Sequence, residues 1–167
     1  TSGLYKTAMN PMDNRSKKTF TKIASDTPED HFSIDDMMWV GFSDAVIQYP
    51  GGDTVLPFAA QPFGAAENYP QTLFAFARQG LYRAVKENNQ WSYSRIKGFQ
   101  GTAQQIVVQT PGMIWVQRAG GIIECLNLSA NKDSVKSVKL VTDFFPDSEE
   151  TEWNLHNGND NLPVLSG

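Results

Sequence analysis

Gln105-Ile106-Val107-Val108-Gln109, Thr110-Pro111-Gly112, Met113-Ile114-Trp115-Val116-Gln117, Arg118-Ala119-Gly120, Gly121-Ile122-Ile123-Glu124-Cys125-Leu126: in this order, residues 105–126 alternate apolar runs with breakers. The runs are rich in Val, Ile and Trp, side chains that suit a pleated and half-buried surface. Pro and Gly punctuate them at intervals too short for a helix. The reading is an inner strand at Gln105 to Gln109, a turn, a second strand at Met113 to Gln117, and a third at Gly121 to Leu126. Val135 to Thr142 contains an outer fourth strand.

The same pattern recurs on both sides. Met38-Trp39-Val40-Gly41-Phe42-Ser43-Asp44-Ala45 and Leu73-Phe74-Ala75-Phe76-Ala77-Arg78-Gln79-Gly80 align without gaps with Ile114-Trp115-Val116-Gln117-Arg118-Ala119-Gly120-Gly121. Further upstream, Gly3-Leu4-Tyr5-Lys6 matches Gly80-Leu81-Tyr82-Arg83, and Phe20-Thr21-Lys22-Ile23 matches Tyr93-Ser94-Arg95-Ile96. The small residues Gly3, Ala45, Gly80 and Gly121 thus recur about every 40 residues, the size of one four-stranded propeller blade. Gly51-Gly52-Asp53, Glu87-Asn88-Asn89 and Ala130-Asn131-Lys132-Asp133 supply the turn chemistry between strands.

The expected fold is therefore all-β, with three to four β-propeller blades and about 13 to 15 short antiparallel strands. The boundaries read as a partial blade at 1–25, blades at 26–60, 61–100 and 101–145, and the start of another at 146–167. In this frame Gly3 to Lys6 and Phe20 to Ile23 are the last two strands of the partial blade. Leu162-Pro163-Val164-Leu165 is the first strand of the next, so that the C-terminal region supplies at most one inner strand. That points to a fragment of a larger propeller with unpaired edges, open to adjoining blades or to a homodimer; a closed four-bladed ring is the alternative. The first residue, Thr1, is read as the mark of a processed or excised chain.

Composition limits the function classes. Hydrophobic residues make up 40% and charged residues 19%, an ordinary globular balance that excludes wholesale disorder. The net charge of -4 disfavours nucleic acid as a partner, and the one basic cluster, Arg15, Lys17 and Lys18, lies in a polar turn. No apolar run approaches the roughly 20 residues of a membrane-spanning helix, and no membrane contact is expected. The single cysteine, Cys125, lies in an apolar run and reads as a buried structural thiol.

The segment from Ile106 to Val116, followed by Gly120-Gly121-Ile122, resembles the two-component regulator propeller repeat, as do the copies at Met38 and Leu73. Gly80-Leu81-Tyr82-Arg83 resembles the third strand of that repeat. Leu73-Phe74-Ala75 departs from it in lacking tryptophan, and Asp35-Asp36-Met37 in lacking the turn glycine. The resemblance implies the extracytoplasmic, periplasmic sensor region of a hybrid two-component receptor of Bacteroides-type bacteria, responding to a carbohydrate. Kinase and output functions would lie in other segments.

A search for chemistry points the same way. His31 and His156 stand apart without a metal-ligand motif, and no cofactor or metal is expected. No Gly-x-Ser-x-Gly elbow or phosphate loop occurs, and Cys125 has no basic neighbour in sequence to activate it. Asp35 and Asp36 read as strand neighbours on opposite faces, and Glu149, Glu150 and Glu152 as a solvated loop, so no carboxylate pair for glycoside hydrolysis is assigned. Trp39, Phe74 and Trp115 occupy equivalent positions, which favours packing between blades over sugar stacking. Binding is expected instead at one end, where the loops between second and third strands meet the inter-blade loops around Thr27 to Glu29, Gly64 to Asn68, Lys97 to Thr102 and Pro146 to Trp153. The ligand-binding candidates there are Arg78, Gln79, Arg118 and Asp44, with the two guanidiniums gripping an acidic sugar. The competing readings are a fragment of a polysaccharide-active enzyme and a protein-interaction scaffold.

Overall fold

A computed structural model describes residues 4–7, 20–24, 27–141, 154–157 and 163–166. The fold is all-β, with sixteen strands among the described residues. Three four-stranded antiparallel meanders follow one another: β3 (Asp30–Ile34) to β6 (Asp53–Leu56), β7 (Phe63–Ala65) to β10 (Gln90–Arg95), and β11 (Gln105–Thr110) to β14 (Val135–Leu140). Between their ends lie β4 (Met37–Gly41) and β5 (Val46–Tyr49), β8 (Thr72–Ala77) and β9 (Gly80–Glu87), and β12 (Met113–Gln117) and β13 (Ile123–Leu128). We call these sheets I, II and III; they fall within 26–60, 61–100 and 101–145. Two hairpins flank them, β1 (Leu4–Thr7) with β2 (Phe20–Ala24), and β15 (Asn154–Asn157) with β16 (Pro163–Ser166).

Alternation along each strand explains how the sheets stack. Successive side chains point to opposite faces, so a strand buried on both faces must be apolar throughout. β8 is such a strand. Leu73 and Ala75 join a core layer with Ile34, Trp39, Val46 and Val55 of sheet I, whereas Phe74 and Phe76 join another with Ile106, Ile114 and Leu126 of sheet III. A third layer sets Val107, Trp115 and Ile123 of sheet III against Leu155 and Leu165 of the C-terminal hairpin. Trp39 and Phe74 are fully buried and Trp115 half-buried, so all three equivalent aromatics serve inter-sheet packing. The opening strands form a row, with β3 beside β7, β7 beside β11 and β11 beside β15.

The turns follow their residues. Asn88 and Asn89 both take positive φ, 50° and 63°, as a two-residue connection between β9 and β10 requires. Gly51 and Gly52 do the same between β5 and β6.

Four expectations need correction. Asp35 and Asp36 form the tight turn between β3 and β4, with Asp35 at φ 50°, and are not on a strand. Gly64 and Ala65 belong to β7, so the loop from sheet I to sheet II is 57–62, not Gly64 to Asn68. The gapless alignment slips by one residue after β12. Phe76 pairs with Leu81, and its counterpart Gln117 pairs with Ile123, so Gly80 matches Ile122 rather than Gly121. The loop 118–122 absorbs the extra residue, with Gly120 and Gly121 both at positive φ. Finally, Pro163 to Ser166 is the second strand of a hairpin that opens at Asn154, so the C-terminal region supplies two strands rather than one.

Candidate functional site

A cleft of about 330 Å³ opens at the rim of the layer between sheets I and II. Phe58 and Ala59 come from the loop after β6, Ala77, Arg78 and Gln79 from the end of β8 and its turn, Tyr82 from β9 and Tyr93 from β10. Tyr82 lies opposite Arg95 and Tyr93 opposite Ala84, which places both tyrosines on the face that Ala84 turns toward sheet I. Phe58 meets them there. Its ring centroid is 4.9 Å from that of Tyr82 and 5.3 Å from that of Tyr93, the latter edge-on at 83°. The Tyr82 hydroxyl donates to Gln79 Oε1 at 3.1 Å and fixes the amide at the cleft wall. Tyr93 is 47% exposed. Arg78 is exposed and has no hydrogen-bond or ion-pair partner among the described residues.

The next rim explains why this one is open. In sheet III Arg118 follows Gln117, as Ala77 follows Phe76 in sheet II, and Glu124 lies opposite Val116, as Tyr82 lies opposite Ala75. Arg118 Nε donates to Glu124 Oε2 at 2.6 Å, Arg118 Nη1 donates to the Gln100 carbonyl at 2.9 Å, and the guanidinium sits 4.4 Å above the Phe99 ring. Phe99 is in the loop entering sheet III, as Phe58 is in the loop entering sheet II. Sheet III therefore plugs its rim with an ion pair stacked on an aromatic. Sheet II carries alanine and tyrosine at the two plug positions, and the space stays open.

Of the four residues singled out in the sequence, Arg78 and Gln79 line the cleft, while Arg118 and Asp44 do not. Arg118 is engaged in its own rim, and Asp44 is exposed in the loop between β4 and β5. Phe58, Tyr82 and Tyr93 were missed. Placing β7 at Phe63 would have brought Pro57-Phe58-Ala59 to the same end as Arg78, because inter-sheet loops and loops between second and third strands share that end of a meander.

The remaining titratable groups lie elsewhere. His31 is exposed on β3, and His156 pairs with the Ser166 hydroxyl at 3.0 Å on the C-terminal hairpin. Cys125 is buried and free, and burial raises its thiol pKa against a smaller opposing effect of Lys139. Asp30 is raised by burial, which outweighs the hydrogen bond from the His31 backbone. Among the described residues no three His, Cys, Asp or Glu side chains converge as metal ligands. Glu149, Glu150 and Glu152, the loop Pro146 to Trp153, and the cluster Arg15, Lys17 and Lys18 lie outside the described residues. Comparison with protein-family models, curated proteins and solved structures finds no match for the chain.

Proposed function

We propose that the sheets are blades of a β-propeller and that the chain senses a ligand, binding an oligosaccharide in the cleft at Arg78 as the periplasmic part of a two-component receptor. The observation that carries this reading is the cleft itself, three aromatic rings beside a held amide and a guanidinium without a partner among the described residues. Its volume is at the small end of ligand sites, about 300 Å³ upward, and suits one or two sugar rings. The apolar face of a sugar packs on Tyr93 and Phe58, where an aromatic surface is half exposed. Ring hydroxyls exchange hydrogen bonds with Gln79 and Tyr82, and Arg78 holds a carboxylate or sulfate substituent through two parallel N–H donors. The likeness of Ile106 to Val116 to the two-component regulator propeller repeat supports the signalling context.

The test is to incubate the chain with a panel of neutral and acidic oligosaccharides, following both melting temperature and products. A thermal upshift with an acidic sugar, lost in Arg78→Ala and retained in Arg118→Lys, supports sensing through this cleft. Cleavage of the sugar at enzymatic rates overturns it in favour of a polysaccharide-active enzyme, and the absence of any shift across the panel overturns it altogether.

A further inference from the structure

The four arginines among the described residues divide by partner. Arg83 Nη1 donates to the Asn131 carbonyl at 3.2 Å, and Arg118 serves the ion pair with Glu124. Arg78 and Arg95 have neither a hydrogen bond nor an ion pair among the described residues, although each guanidinium carries five N–H donors. Both stand at the cleft between sheets I and II. Arg78 lines it from the turn after β8. Arg95 lies opposite Tyr82, two residues after Tyr93 on β10, and so belongs to the face that carries both tyrosines. Its guanidinium folds over Gly80. A Cβ at that position would stand 3.2 Å from Arg95 Nε and 3.4 Å from Nη2. The glycine thus leaves this charge room to lie against the turn that holds Arg78.

The plugged rim of sheet III has no counterpart of either arginine. Ala119 follows Arg118 as Arg78 follows Ala77, and Leu140 lies opposite Glu124 as Arg95 lies opposite Tyr82. Partnerless guanidiniums therefore coincide with open space. Two like charges gather there with no carboxylate in ion-pairing reach among the described residues, on a chain whose net charge is -4. Each repels the other until an anion enters. Arg78 and Gly80 are two Cα steps apart, at most about 7.6 Å, so one ligand spans both charges. We infer, resting on the reading of the cleft as a sugar site, that Arg95 is its second anion-holding residue and that the ligand is an oligosaccharide with anionic groups on two successive units. One group takes the parallel N–H donors of Arg78 and the other those of Arg95, and the ring between them lies on Tyr93.

Two probes that differ by one anionic group test this. One is a disaccharide of a hexuronate and an N-acetylhexosamine, and the other is the same disaccharide with a sulfate ester on the hexosamine. Titration calorimetry on the parent chain should give the sulfated form at least about tenfold higher affinity, the worth of one charge-assisted hydrogen bond. Arg95 is exposed, so Arg95→Gln leaves the core untouched and should erase that preference. Lys136→Gln removes one exposed positive charge from β14 and should retain it. Equal affinity of the parent chain for the two probes overturns the second anion site and leaves the sugar reading of the cleft standing. A preference that survives Arg95→Gln overturns it too, and one lost equally in Lys136→Gln does so by tracing the gain to net charge. Binding of neither probe also removes the anion site; the sugar reading falls with it only if the wider oligosaccharide panel gives no thermal shift.

Discussion

Lys86 of β9 reaches out of sheet II and donates to Asp53 of sheet I, Nζ to Oδ2 at 2.7 Å. The same ammonium donates to Gln48 Oε1 at 3.0 Å, and Trp91 Nε1 donates to that oxygen at 3.3 Å. Gln48 is buried, at 5% exposure, whereas the Asp53 side chain is 44% exposed. The two contacts therefore differ in worth. The ion pair is partly screened by solvent and contributes about 0–1 kcal/mol. The bond to the buried amide contributes more, since losing it strips a desolvated acceptor of its charged donor. Lys86→Met is expected to destabilise the chain by about 1–3 kcal/mol, and Asp53→Asn by less than half of that. Chemical denaturation of the two variants measures the difference.

Filling the cleft by copying the neighbouring rim separates ligand from fold. Ala77→Arg with Tyr82→Glu rebuilds in sheet II the arrangement that Arg118 and Glu124 make over Phe99, here over Phe58. The double variant should melt within a few degrees of the parent and lose the oligosaccharide-induced upshift. A retained upshift places the ligand elsewhere.

Trp39 is fully buried, and its Nε1–H has no acceptor among the described residues. Burying a donor without a partner costs about 1–3 kcal/mol, so removing it offsets part of the volume lost. Trp39→Phe should be destabilising by under about 1.5 kcal/mol, against about 3–5 kcal/mol for Trp39→Ala. Equilibrium unfolding in urea compares them.

Asp133 closes the turn between β13 and β14 as acceptor for Ser129 Oγ at 2.7 Å and Ser134 Oγ at 3.0 Å. These hydrogen bonds lower its pKa. A lowered native pKa means that the turn is supported in full above the ordinary carboxylate range, and that the support fades as pH falls through the native value. NMR titration should place the Asp133 midpoint below that of a free aspartate, and Ser129→Ala should raise it. No change in that variant would mean that the serine is not the cause.

Gly41 meets Phe63 where sheets I and II touch. A Cβ at position 41 would lie 2.8 Å from Phe63 Cε1, and that ring is itself buried in the layer. Gly41→Ala should cost about 1–3 kcal/mol through overpacking, recovered in part by Phe63→Leu. A double-mutant cycle on thermal unfolding measures the coupling.

The sheets were legible in the sequence because a strand buried on both faces has to be apolar along its length, and Leu73 to Phe76 and Ile106 to Val108 satisfy that. The turns at Asn88 and Gly51 were legible because positive φ selects few residues. β15 was not. Asn154-Leu155-His156-Asn157 carries one apolar side chain, and its strand character comes from Leu155 packing on Val107 and Ile123, a contact made across the fold. The same holds for the cleft. Arg78 and Gln79 are legible from their place in the loop between second and third strands, whereas Phe58 becomes part of the site only through the register of β7. Arg118 reads as equivalent to Arg78 in the sequence, and its ion pair with Glu124, six positions on, sets it apart in the structure.

Because Leu73 and Phe74 commit one strand to two separate layers, sheet II is the middle link of a chain in which each link holds only its neighbours. Such an array comes apart by losing terminal links first, and its cooperativity is set by the weakest join rather than by a common centre. Sheet II cannot open without giving up both layers, whereas the C-terminal hairpin surrenders one. Duplication or loss of a whole link leaves every other join intact, so a lineage of such chains can lengthen or shorten by about 40 residues at a step, while a change of a single residue at position 74 or 75 is felt in two places at once.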